Sequence, residues 1–186
     1  MNNSLKFKSF GKNVIIGNNV SFRNPELVSI GNNVIIDDFT SISGLVSIGN
    51  FVHIGSNCTL QASSQGIVIK DFSGISAGSR VFAVSSNYIG DQIDLPTFKK
   101  ELIDQKKIIK GEVIIEKYVL IGSNCIIMPG VKIPIGSTFQ AGAIIRNKKY
   151  DNWYFYGGPK LTTLCKRDKE QILIHHKKIM KFYEDN

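Results

Sequence analysis

The sequence predicts an all-β solenoid of short parallel strands and turns wound around one continuous apolar core. A six-residue period of large apolar residues is the first of three observations behind this. From Ile30 it runs Ile30, Ile36, Ile42, Ile48, Ile54 and Leu60, and from Ile115 it runs Ile115, Ile121, Ile127, Ile133, Phe139 and Ile145. Phe10, Ile16, Phe22 and Ile69, Ile75, Val81 keep the same spacing, which makes eighteen positions. The second observation is glycine directly after many of them, as at Gly11, Gly17, Gly31, Gly49, Gly55 and Gly122. The third is a small or β-branched residue four places on, such as Val34, Thr40, Val46, Cys58, Ser79 and Cys125. A surface helix would repeat at about 3.6 residues and a half-buried strand at about two, so neither explains this period. Both repeated residues therefore point inward, and each coil covers the apolar face of the next.

In chain order, the first three hexads (Phe10, Ile16, Phe22) make one coil. Asn24-Pro25 then interrupts the register, because Phe22 and Ile30 are eight residues apart. Six regular hexads follow, to Leu60. Ser63-Ser64-Gln65-Gly66 reads as a second insertion before Ile69. Between Val81 and Ile115 lies a long excursion, and a loop of this length on a rigid scaffold is usually functional. The repeat ends at Ile145. Residues 168–184 read as a C-terminal helix with Ile172, Ile174, Ile179 and Phe182 as its apolar positions. The organisation expected is a β-helix domain over residues 1–150, with loop 85–111 inserted, and a C-terminal extension over 151–186.

Composition narrows the function classes. Hydrophobic residues are 42% and charged residues 20% of the 186, ordinary for a soluble protein. No apolar run is long enough to span a membrane, and the first residues lack a signal peptide's apolar core, so the cytoplasm is the expected location. Cys58, Cys125 and Cys165 are too scattered for a metal ribbon or a disulfide framework. The net charge of +8 calls for an anionic partner. No nucleic-acid-binding motif is present, so a phosphorylated small ligand fits better than nucleic acid.

The repeat resembles that of the hexapeptide acyltransferase superfamily. Residues 114–147, with Pro129-Gly130 and the Ala141-Gly142-Ala143 run, look like the final coils of bacterial sugar O-acetyltransferases. Residues 146–167 look like their exit segment. Segment 71–90 is similar to a subgroup associated with surface-polysaccharide sugars, which has Ser-Asp-Asp-Tyr-x-Gly where this chain has Ser85-Ser86-Asn87-Tyr88-Ile89-Gly90. The resemblance implies a left-handed parallel β-helix of about six coils, acetyl-CoA as co-substrate and a homotrimer with active sites between subunits. The reaction it implies moves an acetyl or other short acyl group to a hydroxyl or amino group of a sugar or nucleotide-sugar, as in polysaccharide biosynthesis. No metal is expected.

Acyl transfer needs a group to take the acceptor's proton, and histidine suits the task. His175 and His176 fall in the basic C-terminal helix and read as solvated or packing residues. His53 lies within the coils and points outward, in a column with Ile15, Ile35, Gly74, Leu120 and Thr138 and beside Phe51, Phe72 and Tyr118. So apolar a face predicts a subunit interface. His53 is the candidate catalytic base; the bland alternative is a hydrogen-bonded interface histidine. Ser86, Asn87 and Tyr88 are the candidate substrate-binding residues, with Asp91, Asp94 and Glu112 as reserve bases. For CoA, the resemblance points to Ala141, Gly142 and Ala143 beside the pantetheine arm. Its phosphates then call on the cations that follow, above all Lys160 and Arg167. Loop 85–111 contains no histidine, and Ser86-Asn87 replaces an aspartate pair. A catalytically lapsed trimer, acting as a binding or scaffold protein, is the alternative on that account. A γ-class carbonic anhydrase would need three histidines at a zinc site, whereas the coils offer one.

Overall fold

The computed structural model describes residues 6–185 apart from 90, 91, 94, 159 and 160. It is a parallel β-helix with three faces. One face stacks Ser9–Phe10, Val28–Ile30, the end of Ser41–Ile48, the end of Thr59–Ile69, Val113–Ile115 and Lys132–Ile133. Another stacks Ser21–Arg23, the starts of those same two long strands, then Arg80–Phe82, Ile126–Ile127 and Ile144–Ile145. The face that carries His53 stacks Val14–Ile16, Val34–Ile36, His53–Ile54, Gly74–Ile75, Leu120–Ile121, Thr138–Phe139 and Tyr154–Gly157. That is seven parallel ranks among the described residues, one more than the six expected, because Tyr154–Gly157 of the C-terminal extension continues the winding. Thr162–Lys166 then turns back antiparallel along its edge.

The period is legible in burial. From Ile30 to Ile145 every large residue of the repeat is buried, whereas Phe10, on the first coil and against the Phe7 ring, is half exposed. Thr40, Ser73, Ser79 and Ser137 occupy inward small positions, where an unpaired hydroxyl would be costly. Each donates to a backbone carbonyl instead: Gly55, Glu116, Gly122 and Asp151 respectively. Phe139, Tyr150 and Tyr156, with ring centroids 5.2 Å apart, close the C-terminal end of the core.

Two interruptions take defined structure. The Ser63–Gly66 insertion stays extended. It lies within an eleven-residue strand, Thr59–Ile69, that turns the corner between two faces with a register shift against Gly44. The long excursion is gripped at its root by an antiparallel pairing of Val84–Ser85 with Ile109–Lys110, and it projects from the fourth coil as an arm.

One corner carries aromatic residues where most turns use asparagine or glycine. Phe51, Phe72, Tyr118 and Trp153 all adopt left-handed backbone there. Their rings stack at 4.9 Å, 5.6 Å and 5.8 Å, with Gly136 occupying the rung between Tyr118 and Trp153. A side chain at Gly136 would collide with the Trp153 ring. Helix α1 (Lys169–Asp185) lies along this ladder. Tyr183 meets Phe51, His176 stands edge-on to Phe72 and Tyr118, and Lys169 lies over Trp153. The helix presents Ile172, His176, Ile179 and Tyr183 to the solenoid, whereas Ile174 and Phe182 are largely exposed. The aromatic column thus finds its cover within the chain. Ile15, Ile35 and Leu120 on the neighbouring column stay 60%, 40% and 49% exposed.

Candidate active site

Outward positions on the His53 face form two columns. One runs Ile15, Ile35, His53, Gly74, Leu120, Thr138, Phe155. The other, two residues further along each strand, includes Gly17, Asp37, Gly55, Ser76 and Gly122. Asp37 therefore sits diagonally from His53 on the preceding coil, and its Oδ2 is 2.8 Å from His53 Nε2. A carboxylate can only accept, so Nε2 donates and Nδ1 is left as the basic nitrogen. Asp37 escaped sequence reasoning. Its signal was an aspartate where the repeat elsewhere places glycine, one coil below an outward histidine.

His53 opens onto a cavity of about 560 Å³ between the solenoid face and α1. Phe72, Gly74, Tyr118 and Leu120 line it from the coils, and Ile172, His175 and Ile179 from the helix. Arg167 borders it, with its guanidinium donating to the carbonyls of Tyr118 and Gly136. Burial lowers the pKa of Arg167 below the ordinary guanidinium value. Past Ser76, Leu120 and Arg167, which border both spaces, the same face continues into a hollow of about 420 Å³ beside Gly122, Thr138 and Phe155.

The other expected residues fall at three places. Gly142 and Ala143 line a cavity of about 290 Å³ with Arg146 and Lys148, and Ala141 borders an adjoining one. Arg167 stands elsewhere, at the His53 cavity. Lys160, Asp91 and Asp94 lie outside the described residues. Ser86, Asn87 and Tyr88 sit on the arm, outside the His53 cavity; the Asn87 side chain accepts from Ile89 N–H and Tyr88 is 84% exposed. His175 and His176 both border the cavity, so they are nearer the site than the sequence suggested, and His176 also packs edge-on against the ladder. Burial raises the thiols of Cys58 and Cys125 and keeps them in the unreactive form. No cluster able to hold a metal ion occurs among the described residues.

A β-helix with a histidine on one outward face and a small-residue, cation-rimmed cavity on its last coils has the parts of an acyltransferase of hexapeptide architecture. Residues 112–146 match the family model described as the hexapeptide repeat of succinyl-transferase. The chain is 32% identical over 143 residues to dTDP-4-amino-4,6-dideoxy-D-glucose acyltransferase of Escherichia coli, covering 75% of this chain and 72% of that one. A variant of AntD, an N-acyltransferase from Bacillus cereus, in complex with dTDP and coenzyme A, superposes with a TM-score of 0.86 at 34% identity, over 94% of this chain and 92% of the other. A further AntD structure, in complex with dTDP and 3-hydroxybutyryl-CoA, gives a TM-score of 0.83 at 32% identity, over 95% and 92%. The chain belongs to the hexapeptide-repeat acyltransferases and is a CoA-dependent enzyme of that family.

Proposed function

We propose that the protein transfers a short acyl group from CoA to the amino group of a deoxysugar carried on a nucleoside diphosphate. The observation that carries the reading is the Asp37–His53 pair at the mouth of a cavity on the face whose last coils offer Gly142 and Ala143 beside cations. Two similarities support the acceptor: the relative from Escherichia coli acts on dTDP-4-amino-4,6-dideoxy-D-glucose, and AntD was captured with dTDP. We place the work in the cytoplasm, where CoA thioesters are made. No helix among the described residues is long and apolar enough to cross a membrane. The product would supply surface polysaccharide.

In this mechanism His53 Nδ1 takes the proton from the acceptor nitrogen as that nitrogen attacks the thioester carbonyl carbon. The new C–N bond forms, the C–S bond breaks, and the sulfur leaves with its electron pair and takes the proton back from the His53 imidazolium. Asp37 holds the ring and stabilises the imidazolium that forms. The pantetheine arm lies beside Ala141–Ala143, with Arg146 and Lys148 toward the phosphates and Lys160 and Arg167 as further candidates. The enzyme works as a homotrimer. Ser86, Asn87 and Tyr88 on the arm reach the acceptor at a neighbouring subunit's His53, because they stand away from their own.

The test is an acceptor screen with acyl-CoA, read by thiol release, across nucleotide-linked amino sugars, their hydroxyl counterparts and free glycans. Release with a dTDP-linked amino sugar and none with its hydroxyl counterpart is expected. Absence of thiol release with every acceptor and without one would favour the lapsed trimer.

A further inference from the structure

We infer that the cavity beside His53 is an acyl-chain pocket, and that Gly74 is the residue that sets acyl length, so that the enzyme favours a donor of four carbons or more over acetyl. This rests on the reading of His53 as the reacting centre and deepens it by naming the donor class.

The outward column is filled at nearly every rung by a side chain: Ile15, Ile35, His53, Leu120, Thr138 and Phe155. Gly74, directly above His53, has none. Its backbone is not in the left-handed region, so the turn chemistry that calls for glycine elsewhere is not at work. Nor does close packing require glycine. A Cβ there would meet only the end of the Leu120 side chain, at 3.3 Å, with backbone no nearer than 4.0 Å. The space of about 560 Å³ has Gly74 in its lining, so at this rung it reaches the bare backbone.

The walls of that space identify its occupant. Most of the lining is hydrocarbon, from Phe72, Leu120, Ile172 and Ile179, and the polar side chains beside it are His53, Ser76, Arg167, His175 and His176. A sugar placed here would lose water from its hydroxyls with few partners in return, which is costly. A nucleoside diphosphate would bring its charge against the same walls. An acyl chain suits them: its carbonyl stays at the rim beside His53 and its tail runs inward over Gly74. A single methyl group leaves most of the cavity empty.

The experiment compares acetyl-, butyryl- and hexanoyl-CoA in two assays, calorimetric binding and turnover with a dTDP-linked amino sugar. Each buried methylene is worth about fourfold in affinity, so butyryl should exceed acetyl by roughly 15-fold. Gly74→Val, which refills the rung, should bring the butyryl-to-acetyl ratio toward one. Ile179→Ala, which deepens the pocket from the helix side, should shift preference toward hexanoyl. If Gly74→Val does not fold, Ile179→Phe narrows the cavity from the opposite wall and should also lower the ratio. A parent enzyme with a ratio near one, or a ratio that none of these variants moves, overturns the assignment. Absence of turnover with every acceptor would instead count against the proposed reaction, and the binding ratios would still decide the pocket.

Discussion

His53 has one ring nitrogen committed to Asp37 and the other without a partner among the described residues, an arrangement that separates orientation from proton transfer. The two residues should therefore fail differently. His53→Asn keeps a hydrogen-bonding edge but cannot take a proton at neutral pH. General base catalysis is worth about 10²–10⁴-fold, so kcat should fall by that order while CoA binding persists. Asp37→Asn leaves the base in place but loses the carboxylate partner of the imidazolium; kcat should fall by about tenfold, a charge-assisted hydrogen bond being worth roughly 1.5–3 kcal/mol when intact and less at so exposed a site. Equal losses for the two variants would mean that Asp37 does more than orient. His176→Asn should disturb stability before activity, since that ring sits on Phe72 and Tyr118. At this scale the sequence was only half legible. His53 could be singled out because the period says which residues face out. Asp37 could not, because its partnership depends on which coils are neighbours and on a diagonal that a linear period does not display.

Helix α1 and the aromatic corner beneath it behave as one element. The Tyr118–Trp153 stack depends on Gly136 having no side chain, and Arg167 ties the incoming segment to the carbonyls of Tyr118 and Gly136. Gly136→Ala should cost on the order of 3 kcal/mol, from a left-handed backbone that alanine resists and from displacement of the Trp153 ring. Because Trp153 is the only tryptophan, the displacement should be readable as a red shift of emission, together with a lower denaturation midpoint. A normal midpoint and emission would show that the ladder is not what seats the helix. The helix itself was legible from its composition and spacing, and its bounds differ from expectation by one residue at each end. Its packed face was half legible. Of the four apolar positions expected, Ile172 and Ile179 face the solenoid, whereas Ile174 and Phe182 do not; the aromatic ladder takes His176 and Tyr183 instead, residues that look polar in sequence. The Ser63–Gly66 insertion was legible as a break in the period and not as a strand, because its extended form depends on pairing with the neighbouring coil.

For the whole molecule, six-residue spacing made the solenoid legible because each hexad only has to agree with the coils above and below it. What the period cannot show is how copies assemble, and there the arm matters most. Tyr88, Ile93 and Leu102 are 84%, 71% and 74% exposed, and Ile15 and Ile35 continue the exposed apolar strip below His53. A trimer would cover such surfaces by placing the arm of one subunit against the His53 face of the next. If so, each active site draws on two chains, and inactive variants should rescue one another. His53→Asn subunits keep a sound arm, and Asn87→Ala/Tyr88→Ala subunits keep a sound base. Co-refolded in equal amounts, random trimers place a good base opposite a good arm at about one site in four, so roughly a quarter of parent activity should return. Light scattering should report the trimer mass for the parent and both variants. Mixtures that stay as inactive as their components, while remaining trimeric, would put the arm and His53 of one site on the same chain and remove the shared-site assembly.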